Sequence, residues 1–127
     1  MRSEIVFVLF LMILPFGCRN SGKVTAEEAR LGELLFNSVG CTKCHSVKGD
    51  SLLYGPSLKS IYHKEVIVVR NGKRMTLTVD RDYIIRSITY PDADKLAGYE
   101  NKKMTPVNLS AEEIERLADY LIYVSSN

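Results

Sequence analysis

Apolar residues run almost without a break from Ile5 to Phe16, interrupted only by Pro15. A block this short has signal-peptide length and falls below the roughly 20 apolar residues that a permanent membrane helix needs. From Thr25 onward the pattern becomes periodic. Thr25-Ala26-Glu27-Glu28 is a capping box at the head of a predicted helix that runs to about Ser38. Leu31, Leu34, Leu35 and Phe36 supply its apolar face, and Gly40 stops it. Gly32 lies inside that helix, where glycine costs about 1 kcal/mol relative to alanine. Such a glycine implies a packing reason, the missing side chain letting another helix come close. Gly55-Pro56-Ser57-Leu58 predicts a short helix through Tyr62 with Pro56 in its first turn. Val66 to Val69 are β-branched, Asn71-Gly72 interrupts, and Met75, Leu77 and Val79 then alternate with polar residues, which predicts a β-hairpin over 65–79. Asp80 is placed to cap a helix containing Tyr83, Ile84, Ile85 and Ile88 that ends before Pro91. Residues 92–105 read as loop. Ser110-Ala111-Glu112-Glu113 is a second capping box, opening a last helix whose stripe is Ile114, Leu117, Ala118 and Leu121.

Composition adds limits. The chain has 127 residues, so one domain over 25–127 is the expectation. A net charge of +2, with no Lys/Arg-rich run and no nucleic-acid-binding motif, argues against nucleic acid as a partner. A domain this small buries only part of its surface on folding, so a large apolar cofactor would form much of its core.

The candidate chemistry sits at Cys41, Thr42, Lys43, Cys44 and His45. They spell C-x-x-C-H, the pattern that attaches a c-type haem. Two thiols at this spacing can each add to one of the two vinyl groups on a porphyrin edge, and the adjacent histidine can reach the iron. A redox dithiol is one competing reading, but no strand of a βαβ unit precedes the motif. A zinc site through His45 and His63 is another, but it lacks a second regularly spaced ligand pair. Downstream of the apolar leader stand Met75 and Met104 as possible sulfur ligands for a second axial position. Met75 falls in the hairpin pattern and reads as packing. Met104 falls in a loop before the last helix and is the expected ligand, the alternative being a gap-filling residue and an open iron. His63, in the polar run Tyr62-His63-Lys64-Glu65, reads as a solvated histidine. Lys43, Lys48, Lys102 and Lys103 flank these residues and suggest a basic rim that steers an acidic partner, although lysines also simply solvate loops.

With these motifs in hand, the chain resembles the class I cytochrome c family over residues 25–124. C-x-x-C-H after a helix, Gly-Pro-x-Leu, a methionine loop and a final amphipathic helix carry the likeness. It implies an all-α fold, three main helices around one covalent haem, here with the small inserted hairpin near 65–79. It also implies that Gly32 and Phe36 lie where the first helix crosses the last, that Tyr120 packs into that crossing, and that the Pro56 carbonyl accepts a hydrogen bond from His45. Gly55-Pro56-Ser57-Leu58, Ile61-Tyr62, Lys64-Glu65-Val66, the hairpin, Tyr83-Ile84, Ser87-Ile88 and Ala97-Gly98-Tyr99 are further similar to the cytochrome c domain fused to subunit II of bacterial haem–copper oxidases. The expectation is that domain set free, without the membrane helices and copper domain of that subunit.

The leader ends in Pro15-Phe16-Gly17-Cys18, which resembles a lipoprotein cleavage site. The expectation is a signal peptide over 1–17, lipid on Cys18 and a short tether over 18–24, with simple secretion as the alternative. All three cysteines are then used, two for haem and one for lipid. The implied protein is an exported, lipid-anchored mono-haem electron carrier on the periplasmic side of a bacterial membrane. It is a monomeric domain rather than an enzyme, with a haem–copper oxidase or another respiratory complex as redox partner. Two other roles stay open: a fixed haem subunit of a larger complex, or a five-coordinate haem that binds gas.

Overall fold

The structure is a computed structural model that describes residues 23–49 and 53–126. The predicted leader and Cys18 lie outside the described residues. Three helices form where capping chemistry places them. Helix α1, Ala26–Ser38, starts at the Thr25 capping box, with the Glu28 amide donating to Thr25 Oγ1 at 3.3 Å and Thr25 N–H donating to Glu28 Oε2 at 2.8 Å. Helix α2, Arg81–Thr89, starts at Asp80, whose Oδ1 accepts from Tyr83 N–H at 2.7 Å. Helix α3, Ala111–Ser126, starts at the reciprocal Ser110–Glu113 pair.

The core is the crossing of α1 and α3. The buried face of α1 is Ala29, Gly32 and Phe36, and that of α3 includes Leu117, Ala118, Tyr120, Leu121 and Ile122. Gly32 is the contact point. A Cβ placed on it would collide with the Arg116 carbonyl oxygen and come within 2.6 Å of Tyr120 Cβ. One turn further on, the rings of Phe36 and Tyr120 meet at 5.4 Å, tilted by 56°. The apolar face expected for α1 holds in part: Phe36 is buried and Leu35 packs partly buried against the core, whereas Leu31 and Leu34 are exposed, at 37% and 56%, because the contact with α3 runs through Ala29, Gly32 and Phe36 and turns those two leucines outward.

The hairpin joins strand β1, Glu65–Arg70, to strand β2, Lys73–Thr78, with Arg70 opposite Lys73. Its two-residue turn has φ of 50° at Asn71 and 76° at Gly72, the left-handed pair that Asn-Gly supplies. The region read as loop contains one more strand, β3, Lys95–Leu96, antiparallel to β1, so the sheet order is β2-β1-β3. Two residues carry no readable periodicity, and the pairing is fixed instead by bonds such as Ala97 N–H to the Ile67 carbonyl at 2.9 Å. Met75 does not pack as expected. It lies on the outer strand and is 38% exposed, because burial along β2 falls away from Val79 toward the hairpin tip.

The expected short helix from Pro56 to Tyr62 is absent. Leu58 N–H donates to the Ser46 carbonyl at 2.7 Å and Lys59 N–H to Ser57 Oγ at 3.3 Å, while Ser60 and His63 hold φ of 50° and 64°. Amides used this way and left-handed residues both exclude a helical ladder.

Charged clamps fasten the remaining parts. Asp94, with a side chain only 2% exposed, accepts from Arg70 of β1 and from Arg86 of α2, the latter at 2.6 Å. Arg81 at the head of α2 donates to Glu115 at 2.6 Å and Asp119 at 2.7 Å on α3.

Gly32→Ala is expected to lower the unfolding free energy by about 3 kcal/mol, although alanine is the better helix former by about 1 kcal/mol. Urea denaturation checks this, and an unchanged or raised midpoint would refute the close crossing. Asp94→Asn should cost about 2–3 kcal/mol, below the 3–5 of a fully buried pair because Arg70 and Arg86 keep contact with water. Thermal unfolding followed by circular dichroism measures it.

Candidate functional site

The site begins where α1 ends. Gly40, at φ 86°, turns the chain out of the helix and into a single 3-10 turn, Cys41–Lys43. Cys44 N–H and His45 N–H both donate to the Cys41 carbonyl, at 3.1 and 3.0 Å. This turn sets Cys41, Cys44 and His45 on one short, rigid piece of backbone. The two cysteines are not joined to each other. Burial pushes the Cys41 thiol above the ordinary cysteine range, with Cys44 adding to the rise. Reactive dithiols have lowered values, so this environment counts against the dithiol reading.

The second wall of the site is the stretch Tyr54-Gly55-Pro56. Gly55 N–H donates to the Cys44 carbonyl at 2.9 Å, which ties this stretch back onto the motif. Gly55 is buried, and a Cβ there would come within 2.5 Å of His45 Cε1 and 2.8 Å of its Nδ1. The imidazole therefore packs directly against bare backbone. His45 Nδ1 is 2.9 Å from the Pro56 carbonyl oxygen. A carbonyl only accepts, so Nδ1 carries the ring proton and Nε2 keeps its lone pair for a metal. The loop that carries these groups is braced by Ser57 Oγ donating to the Gly49 carbonyl at 2.8 Å and by Gly49 N–H donating to Ser46 Oγ at 3.2 Å.

Met104 is half-buried in the irregular segment that leads to α3. Just before it, Lys103 N–H donates to Tyr54 Oη at 3.2 Å, and Lys102 Nζ stands 4.8 Å from the centre of the Tyr54 ring. The structure thus brings the methionine segment beside the Gly55-Pro56 wall. It does not bring Met75 or His63 to the site. Met75 is on the outer strand, and His63 is exposed with its ring 3.9 Å from that of Tyr62. Among the described residues no group of three or more His, Cys, Asp or Glu gathers to hold a metal ion. Lys43, Lys48, Lys102 and Lys103 are all exposed. Tyr54 was not singled out from sequence, and Gly55 only as part of the Gly-Pro-x-Leu run. The available signal for Tyr54 was an aromatic residue directly before that run.

Two thiols on one tight turn, followed at once by an imidazole with an available Nε2, define a covalent haem site of the c type on a three-helix scaffold. Residues 29–125 match the family model for Cytochrome c, and the chain belongs to that family. Its cofactor is covalently bound haem c, and its function is electron transfer. No curated protein matches the chain. The side chains fit the cofactor: Cys41 and Cys44 would carry the two thioether links, and His45 would present Nε2 from one face.

Gly55→Ala should push the His45 ring off the backbone and break its bond to Pro56. The expected outcome is haem that attaches to the thiols but ligates histidine poorly. Electron paramagnetic resonance of the oxidised protein reads this as a high-spin signal, and a spectrum matching the wild type would contradict it.

Proposed function

We propose that this chain is a mono-haem electron carrier of a bacterial respiratory chain, with His45 and Met104 as the two axial ligands of the iron. The observation that carries the reading is the 2.9 Å contact from His45 Nδ1 to the Pro56 carbonyl, which leaves Nε2 available to a metal and would raise its basicity as a ligand. Haem c supplies a one-electron couple between ferric and ferrous iron. Everything else is the work of this chain's residues. His45 holds one axial position from a rigid turn. Met104, half-buried in a segment without regular structure, is suited to reach the other, where a thioether favours the reduced iron. Met75 on the exposed edge strand is poorly placed to compete. With both positions filled, no vacant site remains for bond-making on a substrate, so the protein contributes ligation, burial and docking.

A haem–copper oxidase, or another respiratory reductase of the same membrane, is the proposed acceptor. The support is the likeness of residues 55–99 to the cytochrome c domain fused to oxidase subunit II, including the hairpin that β1 and β2 form. Exposed Lys43, Lys48, Lys102 and Lys103 would steer an acidic docking face and speed encounter more than they tighten it. Family members of this kind are typically exported. Among the described residues no helix is long and apolar enough to cross a membrane, and lipid on Cys18 is the proposed anchor on the periplasmic side.

Met104→Ala should abolish the weak far-red band of iron–methionine ligation in the oxidised protein and let the reduced protein bind carbon monoxide. Met75→Ala should change neither. Absorption spectroscopy decides, and a wild-type protein that already lacks the band and takes up carbon monoxide readily would overturn the assignment.

A further inference from the structure

Tyr54 touches both halves of the site. Its backbone enters the histidine wall, since the next residue, Gly55, donates its amide to the Cys44 carbonyl at 2.9 Å. Its side chain reaches across to the methionine segment, 49 positions away, where Oη accepts from Lys103 N–H at 3.2 Å. The same ring lies 4.8 Å from the ammonium of Lys102. The segment has a second anchor: Lys95 Nζ donates to the Lys102 carbonyl at 2.6 Å and also pairs with Asp92 at 2.6 Å. Residues 102 and 103 are therefore held on two sides, immediately before Met104.

We propose that Tyr54 is a positioning residue for the second axial ligand. It fastens residues 102–103 to the histidine wall, keeps Met104 on the iron, and so excludes small external ligands. The inference rests on the reading of Met104 as ligand. The energetic logic is a population shift. An external ligand binds only when Met104 has let go, so its apparent affinity is the intrinsic affinity multiplied by the open fraction. Any contact that favours the closed loop lowers that fraction by its own factor. One neutral hydrogen bond is worth roughly a factor of five. An exposed cation over an aromatic ring adds roughly a factor of two to five.

The test titrates imidazole into the oxidised, haem-loaded, full-length protein. Tyr54→Phe keeps the ring and loses the hydroxyl, and should tighten imidazole binding about threefold to fivefold. Tyr54→Ala loses both contacts and should tighten it about tenfold or more. Lys102→Gln should account for the remaining factor of about two to five. Each variant should keep the far-red band at a reduced intensity. In a Met104→Ala background the loop no longer guards the iron, so adding Tyr54→Phe should change imidazole affinity by less than about 1.5-fold. Tyr54→Phe with wild-type affinity and a full band would overturn the proposal. So would an equal gain in the presence and absence of Met104, since Tyr54 would then act on the cavity and not on the ligand. Equal imidazole affinity in the wild-type and Met104→Ala proteins would overturn the ligand reading itself, and the clamp with it.

Discussion

The approach of α1 to α3 at Gly32 is the constraint on which the rest of this molecule depends. Two helix backbones can come this close only where one has no side chain, and Gly32 supplies that gap against Arg116 and Tyr120. The contact joins the first helix to the last, so the chain is closed on itself around everything between them. It also sets the direction in which α1 ends. From that end Gly40 throws the chain into the turn that carries Cys41, Cys44 and His45. A shift at the crossing would therefore move the haem-binding thiols as a body. Phe36 and Tyr120 fill the next layer and hold the angle.

The same apolar core takes in Val79 after the hairpin and Ile84 of α2, and at its margins the protein adds charge. Asp94 gathers arginines from β1 and α2, and Arg81 ties α2 to two acidic residues of α3. A domain of this length buries only part of its surface, so its margins also carry polar contacts. Arginine forks give geometric definition where little apolar area is available, and they keep their outer faces in water, which limits the desolvation cost. The clamp at Asp94 has a further consequence. It fixes the start of the segment that runs through β3 to Met104, so the margin of the fold and the approach to the site share one anchor.

What could be read from sequence was what is encoded locally. Both capping boxes, the Asp80 cap, the Asn-Gly turn and the stripe of α3 each occupy a few consecutive residues, and each formed as expected. Gly32 was legible as a close approach because a mid-helix glycine is otherwise a cost. The errors came where local pattern and tertiary demand disagree. Leu31 and Leu34 look like part of the apolar face of α1, yet Ala29, Gly32 and Phe36 are the residues that face α3, since the crossing needs close approach at Gly32. Pro56 looked like a helix start, but its carbonyl serves His45 and the following amides serve Ser46 and Ser57. The Asp94 clamp and the Tyr54 contact join residues 24 and 49 positions apart, and no short pattern announces such pairs.

The site is asymmetric in how its two sides are held. His45 follows Cys44 directly, its ring packs against Gly55, and its Nδ1–H donates to the Pro56 carbonyl. Covalent neighbourhood and backbone hydrogen bonds leave that side little freedom. On the proposed ligation, Met104 would come to the other side from a long excursion of chain, and ordering such a loop costs entropy that local bonding must offset. The contacts that offset it are few and partly exposed, so the methionine side is the one whose equilibrium small forces can move. On the ligation proposed here, this asymmetry has a functional sense. An electron carrier needs both ligands to stay in place while the iron changes charge, because movement at the metal slows transfer. The histidine side meets that need by construction. The methionine side meets it only as well as the loop is fastened, and that makes the fastening, not the sulfur alone, the feature that separates a closed carrier from an open haem.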